Sequence, residues 1–196
     1  MKNSENKINL KQTNDQDDDV NNLNSEGILS AEIYNPGKYS TLLIGGNKKG
    51  KHQKVDHKNL CKFLKSENRE EKEIVLALLK SENAQAALVE AILTLEDSAD
   101  KAVLIAACWE SGLDFSAFFL DFIQIAVESN ELRVVLECCT LLQESELKIS
   151  NELLEQGIAE LSEEIALKNE KMILLSDLKM YLMDNKMSKL SENENQ

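Results

Sequence analysis

The chain is poor in several residue types. It has one proline, two histidines, one tryptophan and seven glycines in 196 residues. A single proline leaves almost the whole chain free of the strongest helix breaker. Two histidines, His52 and His57, are too few for a histidine-built metal site, and none lies beyond position 57 to serve a nucleophile downstream. No apolar run approaches the roughly 18–20 residues that span a bilayer, so no membrane association is expected. The stretch 1–16 is rich in Asn and Lys and lacks an apolar h-region, so it does not read as a signal peptide. The four cysteines, Cys61, Cys108, Cys138 and Cys139, sit in apolar helical contexts. Adjacent Cys138 and Cys139 cannot readily pair with each other. The set reads as reduced, buried, small hydrophobes in a cytoplasmic protein.

Positive charge is scarce over most of the chain. Residues 67–164 carry 22 acids against 6 bases (Arg69, Lys72, Lys80, Lys101, Arg133, Lys148), a balance of −16. Residues 48–65 invert this, with seven lysines against Asp56, a balance of +6. An acidic body repels nucleic acid and anionic membranes and attracts basic partners at long range. No nucleic-acid binding is expected.

What the chain does have is a repeat. Ile74-Val75-Leu76-Ala77-Leu78-Leu79 aligns with Leu104-Ile105-Ala106-Ala107-Cys108-Trp109 at an offset of thirty, and again with Val134-Val135-Leu136-Glu137-Cys138-Cys139. The following segments match as well: Leu88, Val89, Ile92 and Leu93 correspond to Phe118, Phe119, Phe122 and Ile123. Helical spacing inside a period of that length marks stacked helix hairpins.

Residues 1–27 are polar and low in complexity and read as a disordered tail. Residues 28–55 form an arm. Within it, 28–34 and 39–44 flank Asn35-Pro36-Gly37-Lys38, whose turn chemistry suggests a β-hairpin. A lone hairpin is marginal in water, so it must pack on the helices or project as an arm. A basic linker follows. From Asp56 to about Asp184 the pattern is helical. Asn68 with Glu71 starts one helix, ending near Lys80. Later helices are expected over 82–95, from Asp97 or Ser98 to Gly112, from Asp114 to about Glu128, and from Ser129 or Asn130 to about Glu144. Gly112 fits a left-handed C-terminal cap. Ser150 opens a longer helical stretch to about Asp184, either one helix or two with a break near Lys168-Asn169. Residues 185–196 read as a frayed tail.

The stripes at 74–79, 104–109 and 134–142, with caps at Asp97 and Asp114, resemble HEAT-type and related alpha-alpha repeats over 68–167. The intra-repeat Pro, Asp and Arg of well-formed HEAT units are missing, which leaves the repeat class open. The resemblance implies an all-α, right-handed alpha-alpha superhelix of antiparallel hairpins (HEAT/ARM-like) with a curved face for partners. In such solenoids the second helix of each hairpin lines the concave face. Here those helices are 82–95, 115–128 and 150–167, which puts Glu90, Asp121, Gln124, Glu128, Glu155 and Glu163 on the expected binding surface.

Three chemical readings compete with plainer ones. Gly45-Gly46-Asn47-Lys48-Lys49-Gly50-Lys51 satisfies the phosphate-loop spacing after the apolar Leu42-Leu43-Ile44. However, His52 stands where the magnesium-binding Ser/Thr belongs, and a polar segment follows. Phe118-Phe119-Leu120-Asp121 mimics its partner strand in a segment of helical spacing. A flexible basic linker is the better reading of 45–51. His52, His57 and Cys61 fall short of a tetrahedral zinc set with outer support. The many carboxylates show no sign of a pocket that would separate two pKa values. Trp109 continues the stripe Ala102, Ala106, Leu113 and is expected in the core. Phe115, Phe118, Phe119 and Phe122 span more than one stripe, so most should be buried and one should surface. The run Ile158, Leu161, Ile165, Lys168, Met172, Leu175, Lys179, Leu182 is heptad-like, but two lysines on its seam favour a terminal cap over a dimer.

The expectation is a non-catalytic interaction scaffold whose acidic face takes a basic protein partner, with no cofactor, metal or catalytic residue. The alternatives are a nucleotide-binding protein using 45–51 and a self-associating regulator. Oligomeric state is open.

Overall fold

The computed structural model describes residues 42–44, 54–96, 98–144, 148–167 and 170–194. The polar tail 1–27, most of the arm and the loop 45–51 lie outside them. Among the described residues the protein is helical, with one two-residue antiparallel ladder of β1 (Leu43–Ile44) and β2 (Lys54–Val55). The β1 partner is thus 54–55, across the 45–53 segment. The expected partner strand 28–34 lies outside the described residues. The ladder is tied to the helices: Leu42 is fully buried in the core, its carbonyl accepts from the Asp56 N–H at 3.0 Å, and β2 packs on the third helix.

The helices are α1 (His57–Leu64), α2 (Arg69–Ser81), α3 (Gln85–Thr94), α4 (Ala99–Glu110), α5 (Phe119–Glu128, entered by a 3₁₀ turn at Ser116–Phe118), α6 (Leu132–Glu144), α7 (Asn151–Ile165) and α8 (Met172–Glu194). Short polar side chains set the starts. Asp56 Oδ1 accepts from the Asn59 N–H at 3.2 Å, and Asn68 accepts from Glu70 and Glu71. Ser98 accepts from Lys101, and Ser150 from Leu153. Each satisfies backbone donors that the first helical turn leaves open. Asp114 acts one step earlier, holding Ser116 N–H at 2.8 Å and opening the 3₁₀ turn. Asp97 lies outside the described residues; Ser98 carries that cap. Gly112, at φ 63°, ends α4 in the left-handed conformation that glycine adopts without a Cβ clash. Asn83, at φ 50°, plays that part after α2.

The structure decides two C-terminal boundaries. The stretch from Ser150 is two helices, with α7 ending at Ile165 and α8 starting at Met172. Helix α8 then continues to Glu194, well past the expected end near Asp184, so 185–194 is helical.

Packing follows two rules. Helices α4, α6 and α8 lie side by side, each against the next, and α5 lies against α7. The most extensive sequential pairs are α5–α6 and α7–α8, with α3–α4 before them. The closely packed sequential pairs therefore fall one helix later than the expected grouping of 98–112 with 114–128. At the N-terminal end α1, rather than α2, packs most closely on α4. Cys61 Sγ donates there to the Asp100 carbonyl at 3.7 Å, and Lys65 pairs with Asp100.

The thirty-residue period predicts burial well. Ile74, Leu104 and Val134 are each 1% exposed or less, as are Val75, Ile105 and Val135. Val89 and Phe119 are both buried, as are Ile92 and Phe122. The correspondence fails at Leu93, which is 54% exposed against Ile123 at 0%, at Ala77, exposed against Ala107 at 1%, and in part at Leu88, fully buried against the half-buried Phe118. Of the phenylalanines, Phe115, Phe119 and Phe122 are buried and Phe118 is half-buried; Phe115 and Phe122 meet edge-on at 5.8 Å.

Candidate functional site

The six residues expected on a binding surface fall on α3 (Glu90), α5 (Asp121, Gln124, Glu128) and α7 (Glu155, Glu163). All are exposed except Asp121, which is half-exposed. The fold brings α5 and α7 together, so five of the six lie on adjacent helices. Gln124 donates to Glu128 at 2.8 Å, and Glu155 holds Lys186 of α8 at 2.6 Å. Glu90 stands apart, in a hollow of about 190 Å³ bounded by Val55, His57, Ala87, Ala91 and Thr94.

Charge segregates by helix more sharply than the overall balance suggested. Helix α3 carries Glu90, α5 carries Asp121 and Glu128, and α7 carries Glu152, Glu155, Glu160, Glu163 and Glu164; none of the three holds a lysine or arginine. The neighbouring row is mixed: α4 has Lys101, α6 has Arg133, and α8 has Lys179, Lys186 and Lys189. A sequence count over 67–164 mixes the two rows and hides this. Only the helix boundaries separate them.

A second concavity was missed. Between α1, α2, α4 and α6 lies an open cleft of about 360 Å³, with Trp109 in its wall beside Val103, Ala106, Lys72, Arg133 and Glu137. Trp109 is therefore half-buried and not the core residue expected. Its repeat equivalents Leu79 and Cys139 are 1% and 4% exposed. An indole is too large for that slot, so its edge reaches the cleft and its N–H donates to Glu137 Oε2 at 3.2 Å. The lysines here are already matched: Lys72 holds Glu110 at 2.7 Å, and Lys65 holds Asp100. The cleft is electrostatically mixed.

The cysteines offer no nucleophile. All four are free and buried. Burial pushes the Cys61 thiol up to about 11 and that of Cys139 to about 12, and raises Cys108 and Cys138 well above the ordinary thiol range. Thiols so shifted hold almost no thiolate near neutral pH. Cys61 also spends its proton on the Asp100 carbonyl instead of facing a metal with His57, and no group of metal-ligating side chains occurs among the described residues. The flanks of 45–51 run into β2 rather than directly into a helix N-terminus, and 119–121 lies in a helix, not a strand. Among the described residues no helix is long and apolar enough to cross a membrane.

The chain matches no protein-family model, and no curated protein or solved structure matches it significantly.

Proposed function

We propose that this protein is a non-catalytic interaction scaffold. Its helices stack as a right-handed, HEAT-like alpha-alpha superhelix, and a basic protein segment docks on the face formed by α5 and α7. The observation that carries the reading is the charge segregation: two adjacent helices hold seven carboxylates by name (Asp121, Glu128, Glu152, Glu155, Glu160, Glu163, Glu164) and no cation of their own, with Glu155 and Glu164 matched by Lys186 and Lys171 from outside those helices. Such a row would steer a lysine- or arginine-rich partner in from solution, acting on encounter rate more than on final affinity. Four reduced thiols fit the cytoplasm as its compartment.

The test is a partner captured from native lysate by the wild type, with its association rate then measured across a salt series. Asp121→Lys with Glu128→Lys should slow association several-fold and flatten its salt dependence, since exposed charges are screened beyond about 8–10 Å at physiological salt. Thermal stability should hardly change. An unchanged rate and salt slope would reduce these acids to a solvating surface.

A further inference from the structure

Helix α8 is apolar on two opposite sides, and among the described residues only one is covered. Leu175, Leu178 and Leu182 are buried against α6 and α7 at 0–2% exposure. Further contacts fix the helix in place. Tyr181 O–H donates to the Gln143 carbonyl at 2.9 Å, Cys139 Sγ donates to the Leu174 carbonyl at 3.8 Å, and Lys189 reaches the Ile149 carbonyl. On the far side stand Ile173 at 68%, Met180 at 63%, Met183 at 47% and Met187 at 65% exposure. Their spacing is seven, three and four. Positions 173, 180 and 187 therefore take the first place of successive heptads and 183 takes the fourth, with Ser176 as a polar interruption at the other fourth place. This is a different stripe from the 158–182 run, whose Leu161, Leu175 and Leu182 are spent inside the domain.

The outermost helix of a stack ordinarily turns a polar face to solvent. Helix α8 does the opposite, and the charges beside the stripe say what fits it. Asp177 and Asp184 flank one edge; Lys179 and Lys186 flank the other. When two such helices run parallel, the basic edge of one meets the acidic edge of the other, and Lys179 of each copy comes opposite Asp184 of the second. When they run antiparallel, acid faces acid and lysine faces lysine. Lys186 already holds Glu155 at 2.6 Å within its own chain, so Lys179 and Asp184 carry the inter-copy pairing.

We infer that this protein forms a homodimer through a parallel two-helix coiled coil of α8, with Ile173, Met180, Met183 and Met187 as its seam. The seam residues lie on α8, which borders the acid-rich α7 through Lys186 and Glu155, and the inference does not draw on the proposed function.

Sedimentation equilibrium on the full chain tests it. The wild type should show a concentration-dependent monomer–dimer mass. Met180→Glu with Met187→Glu should raise the dissociation constant about a hundredfold or more, from lost apolar burial at both sites. Circular dichroism should stay at the wild-type value, and the melting temperature should equal that of the wild type measured below its own dimer dissociation constant, because both side chains are exposed in the monomer. Lys179→Glu should weaken the dimer by about threefold, and adding Asp184→Lys should restore it. Orientation is read by mild oxidation of two single variants, Ile173→Cys and Met187→Cys. In the parallel dimer each cross-links to itself, while the native thiols are too buried to compete. A monomer at every concentration overturns the inference. So does a dimer indifferent to Met180→Glu with Met187→Glu, or cross-linking that requires Ile173→Cys and Met187→Cys mixed together.

Discussion

Lys171 is the one buried charged side chain among the described residues, at 7% exposure. It sits in the turn between α7 and α8, and its Nζ reaches the end of α5. There it donates to the Ser129 carbonyl at 3.0 Å and to the Val127 carbonyl, and it pairs with Glu164 Oε1 of α7 at 3.0 Å. Its own carbonyl accepts the Leu175 N–H at 3.1 Å in the first turn of α8. One cation thus binds three helices. Lys171→Met keeps most of the stem volume and removes the charge. A hydrogen bond from a charged group contributes about 1.5–3 kcal/mol, and a cation at a partly buried helix C-terminus up to about 2 kcal/mol. Taking one partner from a buried ion pair costs about 3–5 kcal/mol. These figures overlap, so the expected loss is about 3–4 kcal/mol, a large share of a typical stability of about 5–15 kcal/mol. Urea unfolding followed by circular dichroism should show a lower midpoint at unchanged slope. Glu164→Gln alone should cost less. The double variant should lose less than the sum of the two, by about 1–3 kcal/mol, because the residues are coupled. A Lys171→Met loss below about 1 kcal/mol, or strict additivity, would refute the view that this lysine ties the helices electrostatically.

Two further outcomes follow from local geometry. A Cβ on Gly157 of α7 would stand 2.9 Å from Phe119 Cε1, and that ring is 1% exposed with no room to yield. Gly157→Ala should therefore lose about 1 kcal/mol, since overpacking at about 1–3 kcal/mol outweighs the roughly 1 kcal/mol helix-propensity gain; a thermal melt showing stabilisation would contradict the close α5–α7 approach. Trp109 is the sole tryptophan and only half-buried, so Trp109→Ala should cost about 2 kcal/mol, less than the roughly 3–5 kcal/mol for a fully buried ring, and Glu137→Gln should alter the wild-type fluorescence through the indole N–H. A spectrum indifferent to Glu137→Gln would argue against that hydrogen bond.

The helices were legible because their signals are local. Asn68, Ser98 and Ser150 cap where short polar side chains precede apolar periodicity, and Gly112 closes α4 where a left-handed residue is required. A break near Lys168-Asn169 is one of the two readings the sequence leaves open; those two residues lie outside the described residues, and α7 ends at Ile165. The end of α8 was misjudged for a physical reason. Residues 185–194 are polar enough to suggest fraying, but Lys186 and Lys189 anchor that segment to Glu155 and the Ile149 carbonyl, contacts with residues about forty positions away or closer that no local pattern contains.

The period of thirty encodes which side chains are buried, not what they are buried against. The same slot holds Leu79, Trp109 and Cys139, and only the middle one opens a cleft, because burial depends on side-chain volume as well as phase. Leu93 and Ile123 share a phase and differ fully in exposure: α5 packs extensively on both α6 and α7, whereas among the described residues α3 packs extensively only on α4 and the short β2. The same reasoning explains α8. Its two apolar sides oppose each other around the helix, so they cancel in any single-face reading, and a heptad search finds the inner stripe first. Only the packing shows that Leu175 and Leu182 are spent within the domain while Met180 and Met187 are not. The acid-only rows have a similar origin. A net charge averages over neighbours in sequence, whereas a partner meets neighbours in space, and the alternation of helices between two rows turns one into the other.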